Sequence, residues 1–363
     1  MPSQVTNYIC PNCGGPLHFD SEAQMLKCDF CGSEFTNEEA AALFDEKNAA
    51  AAAQGTETSA ETQTVLQWTP EEAEHMRAYS CPSCGAQLIC DENTAATSCP
   101  YCGNPTVVPA QFSGSLKPDY IIPFKLDKDE AVSRLKQFYK GKPFLPSAFT
   151  NGNHIQEIKG VYVPFWLYDG TVGAHMTYHG TRVHTYRSGD EQVTETDHYQ
   201  IVRQGTVAFR HVPADASSKM PDDFMDSLEP FKYNDMMPFD MSYLPGYLAD
   251  KYDVTAEEDS QRVEVRMRNS AESAIDATVS GYASVVPELR NLNLRQDHIS
   301  YAFFPIWILT TKWNSNNYMF AMNGQTGKMI GDDLPVDYMK FFLYFAGITL
   351  ALMAVFGLLL MTR

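Results

Sequence analysis

The chain has 363 residues, of which 44% are hydrophobic and 20% charged. This composition is typical of globular proteins and excludes a wholly disordered chain, and the length suits two or three domains. The formal net charge of −18 argues against nucleic acid as a partner, because affinity for polyanions comes largely from Lys and Arg that neutralise phosphates. No basic segment followed by an apolar one comes after Met1, so we expect no signal peptide and a cytosolic N-terminus.

The N-terminal region contains an internal repeat of cysteines. Each copy has two Cys-x-x-Cys pairs 14 residues apart, and every cysteine of the second copy lies 71 positions after its counterpart. A glycine follows each pair and allows the backbone to turn back with positive φ. Because thiols in the cytosol are kept reduced, this spacing predicts metal ligands rather than disulfides. The predicted ligands are Cys10, Cys13, Cys28, Cys31, Cys81, Cys84, Cys99 and Cys102.

Two cysteine pairs complete the tetrahedron that Zn²⁺ prefers, and four thiolates leave no open position for chemistry. We therefore predict two structural Zn²⁺ ions, one in a zinc ribbon at residues 1–36 and one in a ribbon at 79–108. Redox dithiols are the alternative, but such motifs occur singly beside a βαβ pattern. Cys90 aligns with Phe19 of the first copy and is predicted to be a buried apolar position rather than a fifth ligand.

Residues 37–78 separate the ribbons and are predicted to form an acidic helical linker. The Ala-rich segment 38–53 favours a helix, 54–64 is typical of a flexible linker, and Thr69 with Pro70 predicts the N-cap and first residue of another helix. A flexible segment here predicts ribbons that move independently.

Residues 110–335 are predicted to form one α+β body. Apolar spacing predicts a helix over 129–139, and Thr255 with Glu258 forms a capping box that opens a second helix toward Ala277. Strands are predicted near 160–168, 171–187, 191–210, 299–311 and 318–322. The predicted fold class is thus α+β, with two small four-cysteine ribbons, a mixed helix and antiparallel-sheet body, and one C-terminal transmembrane helix.

Two similar aromatic segments lie in this body, 164–167 (PFWL) and 305–308 (PIWI), each after a helix and before a polar hairpin. An ancient duplication would explain them and would give a body of two repeated halves, and two unrelated aromatic strands are the alternative. Proline in each strand predicts edges or bulges, which could accept a strand from a partner.

The body offers no recognisable catalytic motif. Residues 323–328 (NGQTGK) have too few residues between their glycines for a phosphate-binding loop, and Asn-Gly predicts a hairpin turn. Five histidines lie in predicted strands and loops, so their spacing does not indicate a metal site. No GxSxG, HExxH or GxGxxG context is present, and we predict that the protein is not an enzyme. These histidines are His175, His179, His184, His198 and His211.

The segment from Phe341 to Met361 has 21 residues without a charge between Lys340 and Arg363. As a helix it would be about 31 Å long, enough to cross the hydrocarbon core of a membrane. We predict a transmembrane helix at 341–361 and a tail-anchored protein of the cell membrane, single-pass, with the N-terminal bulk in the cytoplasm. Gly347 and Ala351 could form a helix-pairing face.

Several motifs together resemble a known family. They are the ribbons with three Cys-Pro-x-Cys turns, segments 160–168 and 304–307, the turn 323–328 with Gly331 and Pro335 after it, and the terminal span. The chain resembles bacterial membrane proteins with N-terminal zinc ribbons of the transcription-factor-IIB type, often mislabelled primosomal replication helicase. The resemblance covers most of the chain. It implies a role beside SPFH-domain proteins and phage shock protein A in envelope stress, in which the ribbon protein recruits its partner to the membrane.

Two functions are therefore weighed. The first is a non-enzymatic membrane-anchored scaffold whose ribbons and body bind a partner protein of the SPFH or phage-shock type. The alternative is nucleic-acid binding of the transcription or replication type, which ribbons often perform. Residues 1–110 hold fifteen acidic residues against three basic ones, and no basic stripe is visible, so the charge favours the scaffold. No Walker motif supports a helicase.

Overall fold

The computed structural model of the chain describes residues 10–13, 17–28, 30–36, 39, 68–69, 72–73, 75–91, 94, 96, 98–105, 107–110 and 116–361. The predicted helix at 38–53, except Glu39, and the predicted linker at 54–64 lie outside these residues. Within the described part the fold is mixed α+β, as predicted.

The helices in the described part are α1 (Lys128–Tyr139), α2 (Ser147–Thr150), α3 (Gly152–Ile155), α4 (Asp222–Asp226), α5 (Ala256–Asp276) and α6 (Tyr338–Met361), with 3₁₀ turns at Tyr233–Asp235 and Met241–Tyr243. The strands are β1 (Leu17–Asp20), β2 (Met25–Cys28), β3 (Glu34–Phe35), β4 (Met76–Ser80), β5 (Gln87–Asp91), β6 (Val108–Ala110), β7 (Tyr120–Ile121), β8 (Lys159–Ser188), β9 (Glu191–Asp215), β10 (Met237–Pro238), β11 (Leu248–Asp250), β12 (Ser284–Trp313), β13 (Asn316–Asn323) and β14 (Met329–Gly331).

The chain forms two compact units. Unit 1 comprises Met1–Val163, Lys219–Lys251 and Phe303–Arg363, and unit 2 comprises Pro164–Ser218 and Tyr252–Ala302. The domains predicted from the sequence are continuous segments of the chain, unlike these two units, and their boundaries stay predictions. The capping boxes explain where helices begin: in unit 2, Thr255 accepts from the amide of Glu258 and the Glu258 side chain accepts from the amide of Thr255, as predicted.

Strands β1, β2 and β3 form a small antiparallel sheet, and a larger sheet has the order β10-β7-β12-β8-β11-β5-β4-β6. In unit 1 an aromatic cluster fills the core: the ring of Phe124 stacks on Tyr247 with centroids 4.2 Å apart and meets Tyr162 and Trp307 edge-on at 5.0 and 5.2 Å. In unit 2 the buried side chains of Met176, Tyr178 and Ile201 pack against Ile275 at the end of α5.

Proline in each strand predicts an edge or a bulge. Strand β8 has a register shift between Tyr168 and Gly170, shortly after Pro164, but the predicted edge positions are wrong. Both β8 and β12 have neighbours on either side in the sheet. The prolines are tolerated because each precedes the first residue paired with the following strand: pairing begins at Phe165 with Asp215 and at Ile306 with Asn323. A missing N–H at Pro164 or Pro305 therefore removes no hydrogen bond from those two ladders.

The same local structure occurs once in each unit and supports the predicted repetition. In unit 2 the carbonyl of Pro164 accepts from the amide of Ala216 at 2.9 Å, and in unit 1 the carbonyl of Pro305 accepts from Gly324 at 2.8 Å. The carbonyl of Ala216 then accepts from two successive amides, Asp253 and Val254. The carbonyl of Gly324 accepts from the corresponding pair, 125 and 126.

The tryptophans complete this correspondence. In unit 2 the indole N–H of Trp166 donates to the carbonyl of Val254 at 2.9 Å, and in unit 1 that of Trp307 donates to Leu126 at 3.0 Å. Val254 and Leu126 each directly precede the N-cap of a helix, α5 and α1 respectively. The body thus has two sequence halves, the first with α1 and β8 and the second with α5 and β12. In each unit, the strand that carries the tryptophan comes from one half and the helix start that it contacts comes from the other.

The segment 323–328 is a hairpin turn, as predicted, but its glycines act differently from a two-residue Asn-Gly turn. The buried side chain of Asn323 accepts from the amides of Gln325 and Thr326, both at 2.9 Å. The left-handed residue is Gly327, at φ +76°. Gly324 instead allows a close approach, because a Cβ there would lie 2.6 Å from the ring of Phe124.

Candidate metal centres

The second ribbon is built on the antiparallel pair β4 and β5, with its first cysteine pair at the turn between them. The amide of Gly85 donates to the carbonyl of Cys81 at 2.9 Å, and Gly85 has φ +73°. The second pair repeats this geometry, with the amide of Gly103 on the carbonyl of Cys99 at 3.0 Å and Gly103 at φ +63°. Each tight turn aims two sulfurs at one point.

The first ribbon has the same design on β1, β2 and β3. The amide of Gly32 donates to the carbonyl of Cys28 at 2.8 Å, and Gly32 has φ +72°. The amide of Cys28 in turn donates to the carbonyl of Ser33 at 2.9 Å. Glycine is needed here because an L side chain at this φ would be strained.

The structure brings the eight predicted ligands together as two groups of four, in each of which the sulfurs lie within 4.8 Å of one another. Individual Sγ–Sγ distances are 3.5 and 3.4 Å in the first ribbon and 3.6 and 3.6 Å in the second. Four sulfurs arranged at about 2.3 Å around Zn²⁺ would have edges of about 3.8 Å. Both groups could therefore hold a metal ion, and their size and all-sulfur composition are consistent with zinc.

The surroundings of the thiols differ. In the first ribbon the hydroxyl of Ser33 lies 3.1 Å from Sγ of Cys31, and this hydrogen bond lowers the pKa of that exposed thiol to about 6. In the second ribbon burial raises the pKa of Cys99 well above its usual range. A bound cation would favour the thiolate form at both sites, since metal binding requires deprotonated sulfur.

Cys90 lies apart from both groups, in the position predicted for a buried apolar residue. It is 0% exposed, faces Arg77 across the β4–β5 pair, and its Sγ donates to the carbonyl of Thr94 at 3.0 Å. Burial raises its pKa to about 12, so it stays a thiol at neutral pH.

Both ribbons are joined to the body within unit 1, so the independent movement expected from the linker is not what the structure shows. In the second ribbon β5 pairs with β11, and the hydroxyl oxygen of Thr310 lies 2.7 Å from the carbonyl oxygens of both Pro100 and Tyr101, either of which can accept its proton. In the first ribbon the amide of Phe19 donates to Pro245 at 3.1 Å, and the side chain of Gln24 donates to the carbonyl of Phe124 at 2.6 Å.

The two ribbons differ in how exposed the residue before the last cysteine is. In the second ribbon this is Tyr101, which is 4% exposed and donates its hydroxyl to Asp250 of the body at 2.7 Å. In the first ribbon it is Phe30, which is 76% exposed. The turn of the last cysteine pair is thus covered by the body in the second ribbon, whereas in the first ribbon it presents an aromatic side chain to solvent.

The structure does not gather the five histidines of the body. His179 and His198 form a diagonal pair on β8 and β9, with ring nitrogens 3.1 Å apart, and His184 lies 3.6 Å from Asp197. Among the described residues, the groups of three or more possible ligands that could hold a metal are the two cysteine groups.

A hydrogen-bonded chain that the sequence did not indicate lies in unit 1. The Nε2 of His154 is 2.8 Å from the hydroxyl of Thr311, and its Nδ1 is 2.7 Å from the carboxylate of Glu157. A cavity of about 470 Å³ adjoins these residues. This order of groups is that of a nucleophile, base and orienting acid. However, Thr311 is only 1% exposed.

Helix α6 has 24 residues, a length of about 36 Å. It is the one helix of the described part long and apolar enough to cross a membrane, and none of the side chains from Tyr338 to Val355 is buried.

Two four-cysteine clusters and an apolar C-terminal helix fit a ribbon protein with a membrane anchor. The chain is 34% identical over 344 residues to the uncharacterized protein YdjG of Bacillus subtilis (strain 168), and the match covers 95% of this chain and 94% of that protein. The chain belongs to the same family as that protein. No protein-family model matches the chain, and no solved structure matches it.

Proposed function

We propose that the protein is a non-enzymatic scaffold that holds a partner protein at the membrane. Two structural Zn²⁺ ions, bound by the eight cysteines, stabilise the ribbons, and α6 is the transmembrane anchor. The closed four-sulfur sites support this role because they leave no open coordination position for catalysis. The buried hydroxyl of Thr311 agrees with a non-enzymatic function.

The observation that carries the docking role is the exposed ring of Phe30 on the first ribbon. Aromatic side chains that insert into a partner's pocket contribute much of the affinity of protein interfaces. The equivalent Tyr101 already packs on the body of the same chain, so the residue before the last cysteine is a contact point in one ribbon. The first ribbon uses the same position for a partner.

The proposal places the ribbons and the body in the cytoplasm. Reduced thiolates are needed at both zinc sites, and the cytosol keeps thiols reduced. The resemblance of the chain to ribbon proteins that work beside SPFH-domain and phage-shock proteins makes a partner of that kind the first to be tested.

The test is affinity purification of the full chain from detergent-solubilised membranes, followed by mass spectrometry. We expect an SPFH-type or phage-shock-type protein to be enriched with the native chain and reduced at least about tenfold by Phe30→Ala, the loss expected when an anchor residue contributes about 2 kcal/mol. Tyr101→Phe is the matched control, since it changes the equivalent residue of the second ribbon and leaves Phe30 intact.

Equal recovery of the partner with Phe30→Ala and the native chain would exclude docking through the first ribbon. If no such protein is enriched and its membrane localisation survives deletion of this chain, the recruiter role is excluded. The competing nucleic-acid function would be supported instead by a salt-dependent gel shift of the full chain.

A further inference from the structure

The turn that follows α1 lies directly beside the start of α6, within unit 1. The amide of Asp337, just before α6, donates to the carbonyl of Phe144 at 2.8 Å. The side chain of Lys340 donates to the carbonyl of Leu145 at 2.7 Å. These bonds tie residues 140–145, the α1 turn, to the first turn of the helix proposed to enter the membrane.

The ring of Phe144 follows α6 toward the membrane. It packs edge-on against Phe341 at 5.2 Å and against Tyr344 at 5.5 Å between ring centroids. Phe341 is the first residue of the uncharged run, and Tyr344 lies about one helical turn further along. When α6 spans a membrane, Phe144 is therefore at the boundary between headgroups and hydrocarbon, where aromatic rings concentrate.

The charge around this turn is opposite to that of the whole chain. No acidic residue occurs between Glu130 and Glu157, while four basic residues do, in a chain of net charge −18. Arg134 is bonded to Glu130 at 2.8 Å. The other three are exposed, and they are Lys136, Lys140 and Lys142.

The lysines are placed to reach lipid phosphates. Lys136 and Lys140 are four positions apart at the end of α1 and therefore lie on one side of it. Lys142 is exposed, and its Nζ lies 3.8 Å from the centre of the ring of Phe138. At most about 14 Å of chain separates Lys140 from Phe144, so this lysine is within reach of the headgroups when Phe144 is at the boundary.

The nearest acidic group of the helix start is already engaged. The carboxylate of Asp337 accepts from the amides of Met339 and Lys340 at 3.1 and 3.2 Å and lies 4.0 Å from the Lys340 ammonium. It caps α6 and does not neutralise the lysines of the α1 turn by direct contact.

We propose that the α1 turn is a second membrane contact, in which Lys136, Lys140 and Lys142 bind the phosphates of anionic phospholipids and Phe144 packs at the boundary beside α6. This inference rests on the membrane anchor of the proposed function. It adds that the body lies against the lipid surface at this turn and selects anionic lipid.

The test is hydrogen exchange of the full chain in lipid nanodiscs, one set of phosphatidylcholine alone and one rich in phosphatidylglycerol. We expect amides of residues 137–145 to exchange about tenfold more slowly in the anionic discs, since each lysine near an anionic surface contributes a several-fold preference. High salt should remove the difference, because exposed charges are screened.

The double substitution Lys140→Glu with Lys142→Glu should abolish the difference, and Lys140→Gln with Lys142→Gln should reduce it with less disturbance of the fold. Lys128→Glu is the matched control, because it lies on the same helix about 18 Å away and should leave the difference intact. Unchanged zinc content in each variant verifies folding.

Equal exchange of 137–145 in both lipids, or an equal loss with Lys128→Glu, would overturn the inference while leaving the anchor intact, provided that the chain is incorporated into both kinds of disc. A chain that enters neither kind of disc would overturn the anchor of the proposed function, and this inference with it.

Discussion

At the scale of single residues, the cysteines show which metal ligands can be predicted from a local sequence pattern. The ligand positions could be predicted because both pairs of a ribbon form local turns whose geometry is set by spacing and a following glycine. Cys90 has the same chemistry but lies within a strand and faces the carbonyl of Thr94.

Replacing Cys28 by Ser should lower the zinc content from two ions per chain to one, because three thiolates hold Zn²⁺ much less tightly than four. Replacing Cys90 by Ser should leave two ions bound. Metal analysis of the purified full chain by mass spectrometry measures both, and a loss of zinc with Cys90→Ser would contradict the assignment of ligands.

The role of Gly324 differs from the one that its Asn-Gly context predicts. The pattern indicates a turn-forming glycine, but glycine is needed at this position because a Cβ would collide with the ring of Phe124, which lies 200 positions earlier in the chain. Nothing local in NGQTGK reports that ring, so the contact could not be predicted.

Gly324→Ala should destabilise the protein by about 1–3 kcal/mol, since the added methyl group overpacks a filled site. Gly152→Ala is the control, because a Cβ at Gly152 meets nothing within 4 Å and should change stability by less than about 0.5 kcal/mol. Urea midpoints of the two variants give the comparison; equal midpoints would show that Phe124 moves aside freely.

At the scale of elements, prediction succeeded where the signal is local. The capping box of α5 is formed by residues three positions apart and was read directly. The strand edges were misjudged because proline does not reveal where a neighbouring strand ends: Pro164 and Pro305 sit just outside their hairpin ladders. The ladders begin where Phe165 pairs with Asp215 and Ile306 with Asn323, residues 50 and 17 positions apart in the chain. The proline itself does not specify that register.

Thr255→Ala should lower the stability of unit 2 by about 1 kcal/mol, because the amide of Glu258 loses its acceptor at the N-cap. Ser260→Ala, one turn into the same helix, should be neutral or slightly stabilising, since alanine is the better helix former there. Hydrogen exchange in α5 measures both, and equal effects would argue that the cap is unimportant.

At the scale of the whole molecule, composition predicted a globular protein, cysteine spacing predicted the ribbons, and hydropathy predicted the apolar helix. The pairing of each tryptophan strand with the helix start of the other half was not predictable, because both halves carry similar motifs and nothing in either specifies the exchange. For the same reason, the exposure of Phe30 and the burial of Tyr101 follow only from which ribbon face meets the body.

Removing residues 338–363 should release the protein from membranes into the soluble fraction while it keeps two zinc ions, because α6 carries the anchor and the ribbons carry the metal. Treatment of the full chain with a chelator should have the opposite effect: it should remove the zinc while the protein stays bound to membranes. Flotation with zinc analysis of the fractions measures both, and a truncated chain that still floats would show that α6 is not the main anchor.

The chain passes between the two units four times, after residues 163, 218, 251 and 302. No single stretch of the gene therefore encodes either unit. A recombination event inside this region would combine, within one hydrophobic core, segments that were selected in different parents. We expect the body to be inherited and exchanged as a whole, and new functions to arise by changes at the ribbons and the α1 turn rather than by shuffling of its parts.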